Sequence, residues 1–589
     1  MTPILLLWFA ALPILNPDSS APSVTAGRSQ HSTSPDPAVR KFLQSDLTRL
    51  GRFSVSAGPD RASITGSMQR FYRALGYRTA WTNRQAVARL VEVIEESAGD
   101  GLMPSDYHID EIRKYYENPP ESPSQKARAD LLMTDAVFTL LSHMRSGKIY
   151  PQSIEPDWNI AVSRPGADYD RTLMSAIMGS RFPELVNSLR PSSPEYMHLR
   201  KGLAQYRKIA ADGGWSSVPT GPMIFRIGAI DSRIPAIRQR LIISGDLAAD
   251  APIATEADLP KLPADSTAAD SSAIKKAILA AKTDPALVYT SVLLEAVKSF
   301  QKRHGLNADG IIGNETISAM NVPVKERIDQ IRLNLERYRW FLHTRGPNYV
   351  MVNLPSFTVD YVQNNVNRWH SRVIIGKPDL QTPVFKAEIQ YLILNPHWVI
   401  PPGIMIKEAI PGIAKDVSYL RKRQLAVVDN DGKEVDPRTI KWSNYLNGGF
   451  PYRIIQDSGD EGSLGRIKFM MPNRFMVYMH DTPSKELFDK SRRTFSHGCV
   501  RVDRPLELAE LLMKDPVKWN RTKIEAAIDT DKTRTVNLPV PVPVYFLYQT
   551  AFVDDDRVQF RSDVYDRDAR LLKVLNSRAS SWYVDSASK

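Results

Sequence analysis

Only one cysteine occurs in 589 residues, so no disulfide can staple this chain. Zinc-type ligands are present at His480, His497 and Cys499, but a second close-spaced Cys or His is missing, so no metal and no other cofactor is expected. Long apolar runs are also lacking. The best, Ile4 to Leu12, is ended by Pro13 and falls short of the about 20 residues that cross a bilayer. It fits the apolar part of a secretory signal, with Val24-Thr25-Ala26 as a cleavage site, although no Lys or Arg precedes it. Residues 1–26 are therefore expected to be a signal or anchor segment, and membrane contact to be limited to it. The net charge of +12 is spread thinly, and no Lys/Arg run is dense enough for a nucleic-acid arm.

What is present is long enough for several cores; the length alone suggests roughly three to five domains. Ser, Pro, Thr and Ala dominate the stretch after the apolar run, and a disordered tether is expected over residues 27–44. Helical spacing follows: Phe71 and Leu75, then Val87, Leu90, Val91 and Ile94, then Leu131 to Met144. This predicts a helical scaffold over 45–250, without a catalytic constellation. An Asp/Ala/Ser/Pro-rich linker is expected over 251–273, a compact helical module over 274–325 and a connecting helix over 326–345. From Tyr349 the pattern becomes β-branched, aromatic and broken by Gly and Pro, which predicts a mostly-β domain over 346–548. The stretch of about 400–460 is too long for a plain connection and is expected to be an inserted cap; Trp442 and Tyr445 read as its packing residues. Residues 549–589 read as a C-terminal extension.

The chemistry concentrates between Gly465 and Arg501. Ile467, Phe469 and Met471 alternate as a strand, Pro472-Asn473-Arg474 forms a turn, and Phe475 to His480 returns. Period two places Met476, Tyr478 and His480 on one face, with the imidazole at the sheet rim. After Asp481 to Phe495 comes Ser496-His497-Gly498-Cys499-Val500-Arg501. A thiol of pKa about 8.5 becomes a nucleophile when an imidazole stands beside it, and backbone amides around Gly498 and Cys499 suit an oxyanion. Gly498, without a Cβ, lets backbone and substrate approach closely. Arg501 has two readings, a holder of a substrate carboxylate or half of a structural salt bridge. Tyr478 and Ser496 are further candidate substrate contacts.

The order His480…Ser496-His497-Gly498-Cys499 resembles the catalytic signature of the L,D-transpeptidases. Ile374-Ile375-Gly376-Lys377-Pro378…Thr382-Pro383, Asn395-Pro396-His397-Trp398, Leu464-Gly465-Arg466-Ile467-Lys468-Phe469 and His480-Asp481-Thr482-Pro483 are similar to the large, multidomain Gram-negative branch. Phe300-Gln301…His304-Gly305-Leu306…Asp309-Gly310…Gly313…Thr316 resembles a small three-helix peptidoglycan-binding module. The resemblance implies a multidomain α+β protein: a helical scaffold, that module, and a mostly-β L,D-transpeptidase domain with a cap. It implies Cys499 as nucleophile and His480 as acid/base, with His497 structural or substrate-orienting. It further implies peptidoglycan stem peptides and glycan as partners, carbapenems as covalent inhibitors, the periplasm as location, and 3→3 cross-linking as the reaction. A hydrolase on the same stems and a non-catalytic wall-binding scaffold stand as the alternatives.

Overall fold

A computed structural model describes residues 36–577, apart from 57–58, 163–166, 180, 225–226, 255–257, 259–278 and 280–282. The signal segment, the first half of the tether and most of the 251–273 linker lie outside the described residues. The tether expectation fails at its end. A helix already runs over Pro37–Ser56, burying Val39, Leu43, Leu47 and Leu50 at helical spacing, with proline at its first position where no N–H is needed.

That helix opens an all-helical body. The helix Arg84–Glu96 starts where the Asn83 side chain accepts from the Gln85 N–H (2.8 Å), and it buries Val87, Leu90 and Ile94. The helix Pro123–Ser146 is buried on nearly every face and forms the hub of a core reaching from Val39 to Leu189.

The rest of the expected 45–250 scaffold packs elsewhere. Ile149, Trp158, Tyr196 and Leu203 join the core of the catalytic domain. Val218, Ile234, Ile237 and Leu241 instead pack against Tyr289, Phe300 and Met320 of the small module. Sequence-local periodicity shows that a helix is amphipathic, not which core receives its apolar face. Within the module the helices Ser291–Arg303 and Asn314–Asn321 are described, and Ile234–Ile243 packs on them. Gln301 ties its turn, donating to the Ile311 carbonyl (2.8 Å) and accepting from the Gly310 N–H (2.8 Å).

The helix Val324–Arg339 joins the bodies through buried polar groups. Arg339 donates to the Asp100 carbonyl (2.7 Å) and to Tyr196 (2.8 Å), and Glu336 accepts from the Ile149 N–H (2.7 Å). Severing such a buried network on one side would leave unpaired charge, which is costly.

The catalytic domain is built on strands β1 (Tyr349–Asn353), β2 (Thr358–Gln363), β3 (Val366–Gly376), β4 (Phe385–Leu394), β8 (Ile467–Met470), β9 (Met479–His480), β10 (Thr494–Ser496), β11 (Val500–Val502) and β12 (Arg534–Leu547). Their order is β10-β3-β11-β9-β8-β4-β12-β1-β2, and β2 pairs back onto β3, so the sheet closes on itself. Between β4 and β8, β5 (Trp398–Val399), β6 (Leu425–Val428) and β7 (Arg453–Gln456) form a separate small sheet in the order β5-β7-β6. Ile410, Ile413, Val427, Trp442 and Ile454 give this insertion its own core, against which Tyr445 packs. The final segment, with β13 (Ala551–Asp554) and β14 (Arg557–Phe560) and the helix Asp568–Asn576, is part of the catalytic core rather than an appendage.

Candidate active site

Three short strands set the site. Lys468 of β8 stands opposite His480 of β9, and His480 stands opposite Arg501 of β11. Residues in register across a sheet project to the same face, and so do residues two apart along a strand. Tyr478 and Cys499 lie just before these two strands and line one cavity with His480 and Arg501, while the Lys468 ammonium sits over the Tyr478 ring. Tyr478, His480, His497, Cys499 and Arg501 line a cavity of about 720 Å³ whose opposite wall is the cap, with Ile404 and Glu408 among its residues.

His480 is buried, and its Nδ1 lies 2.5 Å from the Asp481 carbonyl oxygen. A carbonyl can only accept, so Nδ1 carries the hydrogen of the neutral ring, and the Leu464 carbonyl is a second backbone acceptor beside it. Burial, aided by the nearby Arg501 cation, pushes the imidazole down to about 3. At neutral pH it is therefore an uncharged base. Asp481 is itself held: its carboxylate accepts from the Arg466 N–H (2.9 Å) and pairs with Lys485. Gly465, at φ +58°, permits this, since a Cβ there would collide with the Asp481 carboxylate.

Cys499 is half-buried at the cavity wall. Burial pushes its thiol up, opposed by the polar groups of the neighbouring Tyr478 and by the Lys468 and Arg501 cations. The sulfur also lies 3.9 Å from the Met476 carbonyl. No hydrogen bond joins Cys499 to His480 among the described residues; the two share the cavity. Burial together with the facing Cys499 pushes the Tyr478 phenol well up, so it keeps its proton and stays a donor.

Several sequence expectations need correction. The return strand is only Met479–His480. Asn473 clips the turn by accepting from the Phe475 N–H (3.0 Å) and Val477 N–H (3.2 Å), and Met476 takes a left-handed φ of +56°, which is not strand geometry, while still lining the cavity. Ser496 is not free for substrate: its buried hydroxyl donates to the Cys499 carbonyl (2.5 Å) and accepts from the Gly498 N–H (3.1 Å). That second bond takes Gly498 out of the proposed amide pair and leaves the Cys499 N–H, which has no partner among the described residues. Gly498 is required for its φ of +112°, not for space, since a Cβ would meet only ordinary contacts. His497 reaches away from the sulfur, with Nε2 2.6 Å from Glu408 Oε1 of the cap. Arg501 has no carboxylate within salt-bridge distance among the described residues, and its Nε is buried without a partner. The structural salt bridge is thus absent, which leaves the guanidinium free in the cavity.

Sequence reasoning missed the supports of this loop. The buried Thr382 hydroxyl donates to the Gly498 carbonyl (2.9 Å) and accepts from the Gly376 N–H (3.0 Å). Tyr565, from the C-terminal segment, donates to the Gly376 carbonyl (2.7 Å). Lys468 was visible only as one letter of a motif. The strand alternation that buries Ile467 and Phe469 puts it on the opposite face, toward Tyr478, and is the signal that could have found it.

Residues 347–527 match the family described as the L,D-transpeptidase catalytic domain, 278–320 the "Putative peptidoglycan binding domain", and 66–203 the Scaffold domain. The chain thus carries an L,D-transpeptidase catalytic domain behind a helical scaffold and a peptidoglycan-binding domain. A curated protein of Haemophilus influenzae described as "Putative L,D-transpeptidase" is 32% identical over 224 residues, which is 38% of this chain and 45% of that protein. The chain therefore spans less than half the length of that relative. A solved structure titled "Structure of the Ldtfm-avibactam carbamoyl enzyme" covers 59% of this chain and 98% of its own, at 13% identity and a TM-score of 0.17, too low to relate site residues.

Proposed function

We propose that this protein is a peptidoglycan L,D-transpeptidase that forms 3→3 cross-links through a thioester on Cys499. The observation that carries the reading is the sharing of one capped cavity by a thiol, an uncharged imidazole and an unpaired guanidinium. In the first half-reaction the Cys499 sulfur attacks the L-centre carbonyl of the diamino-acid residue in a donor tetrapeptide. His480 takes the thiol proton and returns it to the departing amine, so terminal D-Ala leaves as the peptide C–N bond breaks. The oxyanion that forms between these events is met by the Cys499 N–H and the Tyr478 hydroxyl; one such donor is worth about 3 kcal/mol in a transition state. In the second half-reaction the side-chain amine of another stem attacks the thioester, loses a proton to His480, and frees the thiol.

Arg501 receives a stem carboxylate, for which guanidinium geometry is suited. The cap, tied to the nucleophile loop through His497 and Glu408, shields the thioester from water and favours amine over hydrolysis. Substrate chemistry places the protein in the periplasm, with the segment before residue 27 as its signal or anchor. The strained amide of a carbapenem fits the same thiol as a covalent inhibitor. Incubating the protein with disaccharide-tetrapeptide and weighing the products tests the reading. Dimers lacking one D-Ala are expected, whereas D-Ala release without dimers would make it a carboxypeptidase, and no turnover of any stem would overturn it.

A further inference from the structure

Lys468 has a position that neither the nucleophile nor the base accounts for. It sits half-buried in β8, directly across from His480, with its Nζ 3.8 Å from the centre of the Tyr478 ring. No carboxylate lies within salt-bridge distance of it among the described residues. Burial pulls its own pKa down, and the only group that pulls it back up is Cys499. An ammonium over the face of a phenol is attracted by the ring's electron density and withdraws it. That makes the hydroxyl a stronger donor, and Tyr478 lines the same cavity as the Cys499 sulfur, whose negative charge it favours.

We propose that Lys468 is a positioning residue that acts through Tyr478, its charge under the ring strengthening the hydroxyl that holds negative charge on Cys499. It deepens the acyl-transfer reading and rests on it only for its purpose, since the effect is a property of the thiol itself. The other groups facing the sulfur are accounted for. His480 is held neutral, Arg501 supplies the second cation, Glu486 acts on Arg501 from the preceding loop, and Glu408 is taken by His497. Lys407, Lys422, Arg423 and Glu461 lie farther out in the cavity wall, and Lys422 is paired with Asp416 (3.0 Å).

The test reads the thiol without needing a stem peptide. The full chain is alkylated with iodoacetamide from pH 5 to 10, and the rate at Cys499 is followed by intact mass. Lys468→Met should move the inflection up by about one pH unit and slow alkylation at pH 7 by about tenfold. Lys468→Arg should restore it to within about threefold. In a Tyr478→Phe background the same Met substitution should keep only the smaller part of its effect that comes from the cation acting directly on the sulfur, a dependence on the hydroxyl that a purely structural role would not show. Profiles of wild type and Lys468→Met that superimpose, or a uniform slowing at every pH without a shifted inflection, would overturn the proposal. Equal effects in both backgrounds would overturn the route through Tyr478. A shifted profile in a protein that turns over no stem peptide would instead leave this inference standing while removing the transpeptidase reading.

Discussion

The sheet under the cavity shares one core with segments as far apart as Ile149 and Leu575, whereas the cap above it closes on a small core between Ile400 and Ile454. The two histidines near the sulfur show what this difference means. His480 is pinned to a backbone carbonyl in the floor and held neutral by burial. His497 reaches up from the nucleophile loop to Glu408, in a pair whose side chains are 28% and 48% exposed. The floor is built to hold one geometry for proton transfer. The roof is built to be joined and released at small energetic cost, because a single part-exposed hydrogen bond is worth only about 0.5–1.5 kcal/mol.

This contrast predicts a descending series of effects. Removing the nucleophile with Cys499→Ala should abolish the mass increase that follows carbapenem exposure, while the wild type gains one adduct. His480→Gln keeps a hydrogen-bonding side chain but no base, and should slow acylation by about 10²–10⁴-fold in stopped-flow or quenched mass measurements. Arg501→Met should cost roughly 10–100-fold in kcat/KM on a tetrapeptide, chiefly through KM, and cost less on a donor whose stem carboxylate is amidated. Breaking the roof contact with Glu408→Gln should change turnover by only about 2–5-fold while raising the share of hydrolysed product. Losses on the roof variant as large as those on His480→Gln would mean that the cap takes part in chemistry, and the contrast would fail.

A smaller effect follows from the buried histidines. In the folded chain His480 and His143 are pushed from the ordinary 6.5 down to about 3. Between those values the unfolded chain binds protons that the folded chain does not. Stability therefore rises with pH across this window, is complete above about 6.5, and is lost as the pH falls toward about 3. The fall in Tm between pH 7 and pH 5 should be less in His480→Gln than in the wild type, by roughly 2–4 °C.

The nucleophile and the base were legible because a lone thiol in a Gly-containing loop and an imidazole at a strand end declare their chemistry locally. Their supports were not. Ser496 looks like a free hydroxyl in sequence, yet a tight loop turns it inward to the Cys499 carbonyl and the Gly498 amide. Thr382 and Tyr565 reach that loop only after the sheet has closed, a non-local event that no window of sequence records. The helix at Pro37 was hidden by the Ser/Pro-rich composition before it, although its Val39, Leu43, Leu47 and Leu50 spacing was available to be read. In the same way, one helical scaffold was expected to run on to residue 250, whereas residues 149–247 divide among three cores.

The central claim is that Cys499 accepts an acyl group from a stem peptide. Mixing the protein with disaccharide-tetrapeptide for seconds, quenching in acid and mapping the adduct by peptide mass would test it in a single step. A donor lacking its terminal D-Ala, attached at Cys499 and absent from the Cys499→Ala protein, is the predicted result. Intact donor with an unmodified Cys499 that iodoacetamide still labels freely would contradict it.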